Sequence, residues 1–440
     1  MRYLLTIVAF VYIMAIEYRK HKYVLCATVI YPILWVLALF GLLFSDNYYP
    51  VSWFILMILI LGYILFCLAF DHECEDQLVL SPMESGIFDD RSINTTGLTI
   101  IFCFALTVGA VYLTKYIKYI SLLDIGKTLL AINSAKSSGS ASVPLVFVYL
   151  SSLVKVSMLA FFLLFLRASS NESVSIYKRK KLFKKRSFVL VALFFVILLS
   201  NFSRNALLNT ILPLLFALFI THKTSNRKIV LYGSIAFIFF VFVFVWYTTI
   251  RSAFLFERTG FWETMFNNFS LYLSGAIVGL DQLLERGIIH IVGVDGGGKY
   301  TFSLILAIID TIFGTSLTPE VVQSGIKIGT TSTNVYTVYQ WTAMDFGVIY
   351  ALLWQIPLGA LYGALYKGVC LGKLVPTFWY CLLSYPLVMM FFQEQYFSIA
   401  QSWFITVIAA MSFWLFAGRT KIRIKMSRNP KRSSSHAVER

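Results

Sequence analysis

The sequence predicts an all-α, polytopic integral membrane protein, and three observations carry that prediction. Mean hydropathy is +0.77 and only 13% of the 440 residues are charged, more apolar surface than a soluble fold can hide. Apolar runs near 20 residues, the length that crosses a hydrocarbon core roughly 30 Å thick, recur along the chain. Lys and Arg are concentrated in alternate connections between those runs.

Eleven spans are expected, near residues 3–16, 23–45, 51–70, 97–114, 143–166, 187–200, 205–221, 229–250, 346–366, 375–392 and 397–417. The first, sixth and seventh are short. The first run has no small-residue cleavage site, and its positive charges follow rather than precede it, so it is expected to stay as a span. If residues 17–22 face the cytoplasm, alternation puts "YKRKKLFKKR" (177–186), residues 221–228, residues 367–373 and the basic tail 419–440 on the same side. The longest connection, 251–344, holds only five Lys or Arg. The N-terminus is therefore expected outside and the C-terminus inside, with residues 1–418 forming one membrane domain. In such a chain the net charge of +16 reads as topology anchors beside anionic membrane lipid, not as a nucleic-acid surface. No CxxC occurs among the six cysteines, and no disulfide framework is expected.

Two outward segments are long enough to build a site. Residues 115–142 carry Lys115, Lys118, Lys127 and Lys136 before a Ser/Gly-rich turn. Residues 251–344 are too long for a structureless loop and should contain helices. In "NNFSLYLSGAIVGLDQLLERG", Phe269, Leu273, Ala276, Leu280 and Leu283 or Leu284 fall at helical spacing, with Asp281 and Glu285 elsewhere on the circumference. "TFSLILAIIDTIFGTSL" is apolar but short, which suggests an interfacial or re-entrant helix. "VGVDGGGKY" lacks the spacing of a phosphate-wrapping loop and reads as a glycine turn. "DHECED" (71–76) lacks paired Cys/His spacing and reads as a solvated acidic loop. No metal site and no cofactor are expected.

The candidate chemistry lies mainly outside. "IRSAFLFERTGFWE" puts Arg251 and Arg258 just beyond the eighth span, where two guanidinium forks suit a diphosphate, and leaves Glu257 or Glu263 as a candidate general base. His290, with its near-neutral pKa, is another candidate base. Arg204 lies at an outer turn, against the positive-inside trend. Lys155 sits near the middle of the fifth span, where an unpaired cation costs roughly 3 kcal/mol or more and so implies a partner, a wet cavity or a function.

"TNVYTVYQWTAMDFG", ahead of the apolar run that begins at Val348, closely resembles the late motif of oligosaccharide repeat unit polymerases, the Wzy-type O-antigen polymerase family. "SRNALL" resembles that family's S/T-R turn, and "NNFSLYLSGAIVGLDQLL" its tyrosine-containing helix in the long periplasmic loop, so that the likeness covers roughly residues 187–370. It implies a metal-independent glycosyltransferase of the bacterial inner membrane. The enzyme would move a growing glycan from undecaprenyl diphosphate to the non-reducing end of a lipid-linked repeat unit on the periplasmic face, with a chain-length regulator as a partner protein. On this reading Lys155, Arg204, Tyr272, Asn334, Tyr336 and Tyr339 bind substrate, the tyrosines and Trp341 forming a polar aromatic rim, and Asp345 opens the ninth span as a helix N-terminal carboxylate. Two other readings stand beside it. An O-antigen ligase would share the donor, and a lipid-linked oligosaccharide flippase would be expected to show more spans and shorter outer loops.

Overall fold

The computed structural model describes residues 1–44, 48–74, 94–116, 145–170, 174–201, 204–236, 238, 261–293, 296–319 and 325–418. It is mostly helical (77%). Five helices are long and apolar enough to cross a membrane, at Trp53–Cys74, Thr95–Tyr116, Tyr149–Ser169, Val348–Cys370 and Ala400–Ala417, and shorter apolar helices lie at Ala27–Leu43, Leu207–Thr221 and Leu374–Met389. Each of the eight overlaps an expected span. Most of the eighth expected span, the segment 117–144 and the tail from residue 419 lie outside the described residues.

In chain order the helices are α1 (Arg2–His21), α2 (Ala27–Leu43), α3 (Trp53–Cys74), α4 (Thr95–Tyr116), α5 (Leu145–Ser170), α6 (Val174–Asn201), α7 (Arg204–Thr221), α8 (Phe261–Glu285) and α9 (Ser303–Phe313). After the two-residue strands β1 (Ile326–Lys327) and β2 (Ser332–Thr333) come α10 (Gln340–Phe346), α11 (Val348–Leu353), α12 (Gln355–Cys370), α13 (Leu374–Leu382), α14 (Ser384–Met389) and α15 (Ala400–Ala417). Two expected spans are each split in two, and proline explains both breaks. Pro357 and Pro386 have no N–H for the carbonyl four residues back, so the helix is interrupted at Trp354 and at Leu383.

Among the described residues, α3 and α12 pack most extensively. Gly359 and Gly363, one turn apart, lie against the carbonyls of Phe66 and Phe70, where any Cβ would collide with backbone. Small residues four apart let two apolar helices approach to backbone contact, which is where packing energy comes from when both surroundings and interface are apolar.

Hydrogen bonds define two ends of the bundle. At one end Lys20 meets Asp71, Asn226 bonds Val24 and Lys22, and Tyr380 donates to the carbonyl of Leu25. The connections 17–22 and 221–228, grouped above by charge alone, thus come together, and the ring centroid of Tyr366, just before the connection 367–373, lies 6.0 Å from that of His21. At the opposite end Tyr49 bonds Ile328, Val348 bonds His290 and Val338 bonds Met390, and Ser303 donates to Phe397.

Two connections are more ordered than expected. Glu17, Lys20 and His21 belong to the last turns of α1, and the basic run 177–186 is the first half of α6. Arg186, which closes that run, is buried with its guanidinium 5.1 Å from the Phe102 ring centroid and 5.7 Å from that of Phe161, and it donates to Thr99 Oγ1 at 2.7 Å. Two aromatic faces receive this desolvated cation.

Candidate functional site

The sequence between 331 and 347 folds as connected turns. β2 pairs antiparallel with β1, Tyr336 donates to the carbonyl of Thr333 at 3.1 Å, and α10 ends at Gly347. That glycine has φ 89 and lies against the backbone of Ile291 and Val292, a conformation and a space that other residues do not fit. Val348 then starts α11, as the apolar pattern predicts.

This local fold corrects several expected roles. Tyr336, Tyr339 and Trp341 are buried rather than arranged as a rim. Tyr339 packs against Gly62 of α3, its hydroxyl 3.3 Å from that of Tyr31, so its ring is closed to a sugar. Asp345 does not open a span. It lies in the last turn of α10, fully buried, and its carboxylate accepts the backbone N–H groups of Tyr300 (3.2 Å) and Thr301 (2.5 Å). The glycine turn 296–299 is thereby fastened to α10. Asp281 is buried as well; it accepts from Ser52 N at 3.0 Å and from the Ser52 hydroxyl, beside the N-terminus of α3, where a carboxylate is favoured. Burial raises its carboxyl above the ordinary range, against the pull of Ser52. "DHECED" also departs from expectation, since Asp71 and Cys74 complete α3 and Asp71 faces α1.

Lys155 is the expected residue around which the structure builds most. Its ammonium donates to Asn209 Oδ1 at 2.6 Å and lies 5.9 Å from the Trp403 ring centroid. Among the described residues no carboxylate pairs with it, and it is only half-buried. Trp403 in turn donates to the carbonyl of Gln395 at 2.7 Å. Gln395 accepts from Tyr385 at 3.2 Å and donates to Gln393 at 3.0 Å. Tyr385, Met389 and Phe392 form a small buried cluster against which Leu208, Leu212, Tyr272 and Val335 pack, with the rings of Tyr272 and Phe392 5.6 Å apart.

Four distant stretches therefore converge: mid-α5, the start of α7, Tyr272 of α8, and the turn 334–335, which meets the segment 385–403. Arg204 is the first residue of α7, five positions before Asn209, roughly 7.5 Å along the axis. Asn334 is exposed, next to Val335. The arrangement offers a cation with unsatisfied charge, amide donors and acceptors, and aromatic faces, a set that suits an anionic group attached to a polyhydroxylated ligand.

Glu394 is the charged neighbour that sequence reasoning missed. It is 1% exposed, and its carboxylate accepts the N–H groups of Tyr396 (2.5 Å), Phe397 (2.8 Å) and Ser398 (2.6 Å). Burial pushes its carboxyl up to about 7, although those three donors pull it down. Asn209, Tyr385, Gln393, Gln395 and Trp403 were missed too. The available signal was "QEQYFS", a polar string that carries a carboxylate between two apolar runs.

Other expected residues stand apart or undescribed. His290 is exposed, and its carbonyl accepts from the Val348 N–H. Arg251, Glu257 and Arg258 lie outside the described residues, as do the side chains of Arg204 and Glu263. Compared with family models, with curated proteins and with solved structures, the chain matches none.

Proposed function

We propose that this protein is a glycan polymerase of the bacterial inner membrane, joining lipid diphosphate-linked oligosaccharide repeat units on the periplasmic face. The observation that carries the reading is Lys155: a half-buried cation inside a helix bundle, answered by an amide and an indole instead of a carboxylate. A cation kept in that state is available to a diphosphate, and Trp403 and Gln393 supply groups that bind sugar rings. The polymerase-like stretch 331–347 supports the same reading, because Val335 packs on the cluster whose Tyr385 bonds Gln395.

In this reading the chain crosses the membrane eleven times, with the N-terminus periplasmic, the C-terminus cytoplasmic and residues 251–344 on the periplasmic side. Arg251 and Arg258 hold the leaving diphosphate, and a carboxylate takes the proton from the attacking sugar hydroxyl. Undecaprenyl diphosphate-linked oligosaccharide is the substrate, and a chain-length regulator is the partner protein. Alanine at Arg251 or Arg258 then abolishes polymer without lowering protein level.

The deciding experiment is a gel of surface lipopolysaccharide from a strain lacking the gene, with lipid-linked glycan extracted in parallel. Collapse of the ladder to core carrying one repeat supports the polymerase. Polymer accumulating on undecaprenyl diphosphate instead identifies a ligase, and loss of even the single capped repeat identifies a flippase.

A further inference from the structure

At the basic end of the bundle, α1 and α3 bring four ionisable groups together. Glu17 and His21 are one turn apart on α1, and Asp71 and Cys74 one turn apart on α3. Such spacings put both members of each pair on the same helix face. His21 Nε2 lies 3.0 Å from Asp71 Oδ1 and 3.7 Å from Glu17 Oε2. One donor atom from each of Glu17, His21 and Asp71 falls within 4.8 Å of the others. His21 also hydrogen-bonds Cys74, which is buried.

Two observations distinguish this cluster from an ordinary ion-pair network. The Glu17 side chain is 3% exposed, and its Oε2, aimed at the imidazole, has no hydrogen-bond partner. A buried carboxylate oxygen left in that state is costly. The second observation concerns Lys20, whose ammonium bridges the two carboxylates at 2.9 Å from Glu17 and 2.5 Å from Asp71 while its side chain is 39% exposed. It fills the space between the carboxylates from the solvent side and can swing out without unpacking anything.

We propose that Glu17, His21 and Asp71 form a site for a divalent transition metal of the zinc type, with Lys20 as an exchangeable plug. Ligands about 2.0–2.1 Å from one tetrahedral ion are roughly 3.3 Å apart, and the 3.0 and 3.7 Å separations bracket that value. An imidazole nitrogen beside two carboxylates suits zinc better than magnesium or calcium, which take oxygen ligands. The ion replaces the two positive charges that Lys20 and protonated His21 supply to Glu17 and Asp71, reaches Oε2, and on binding releases Lys20 and the His21 proton to water.

The test uses the full-length protein in detergent micelles, stripped by a chelator and titrated with Zn²⁺ alone against a chromophoric competitor. Wild type should take up one equivalent. Lys20→Met should bind at least tenfold more tightly, since the competing cation is gone and every ligand remains, whereas Asp71→Asn should bind at least tenfold more weakly. Lys20→Met alters an exposed residue, so it keeps the test decisive even where Asp71→Asn fails to fold. Affinity unchanged in Lys20→Met, or no zinc bound by either it or the wild type, overturns the proposal and leaves an ionic clamp only.

Discussion

At the basic end of the bundle, Glu17 and Asp71 are answered within the chain by Lys20 and His21, whereas toward the other end Lys155 is answered only by the amide of Asn209 and the indole of Trp403. Both clusters bury charge, and both link helices far apart in sequence. The difference lies in what remains over. The first is closed by charges of the chain itself and fastens α1 to α3. The second retains net charge inside a bundle, a state that costs folding energy unless something else uses it. Arg186 shows the other way out, with two aromatic rings receiving the cation and no carboxylate among the described residues.

This contrast can be broken at four points, beginning with the largest expected effect. Lys155→Met should reduce polymer on a lipopolysaccharide gel by on the order of 100-fold, the ratio that about 3 kcal/mol represents, while the melting temperature in detergent holds or rises. A fall in melting temperature with polymer intact would show that Lys155 is structural. Asp71→Asn should have the opposite signature, a stability loss of about 1–3 kcal/mol from breaking a partly buried network, read by thermal unfolding of the stripped protein.

Glu394 gives the third point. Burial pushes its carboxyl up to about 7 from the ordinary 4.5, so the folded state holds the proton more tightly than the unfolded chain. Its contribution to stability is complete below about pH 4.5 and is lost as pH rises toward 7, by up to about 3 kcal/mol. Glu394→Gln should flatten melting curves recorded across that window, and an unchanged slope would assign the pH dependence to other groups. Smallest is Trp403→Phe, which keeps the ring beside Lys155 and removes the bond to Gln395. About 1 kcal/mol is expected, with polymer reduced a few-fold.

The apolar helices, and the meeting of the connections 17–22 and 221–228, were legible because apolar run length and Lys/Arg density are local properties of the chain. The helix α8 was legible for the same reason, but its burial on all sides was not: residues 274–283 are buried around the whole circumference, Asp281 and Gln282 included. Lys155 stood out because a cation inside an apolar run is conspicuous. Its partners did not, since Asn209 and Trp403 lie 54 and 248 positions away, and nothing in either local context marks them. Tyr336, Tyr339 and Asp345 were misplaced for a related reason. A polar, aromatic string next to a span has the composition of a membrane-edge rim, and only tertiary packing reveals that Tyr339 fills the space left by Gly62 and that Asp345 secures the Tyr300 turn.

The breaks at Pro357 and Pro386 have a mechanical consequence. Beyond Pro357, Gly359 and Gly363 clamp α12 to the carbonyls of α3, and that half of the helix has no room to slide. Before it, α11 is tied to the His290 and Ile291 backbone. α14, which carries Pro386, leads into the turn that holds Glu394 and Gln395. The interruptions therefore divide these two helices into segments held to α3 and to the His290 backbone and a segment that leads into the polar turn.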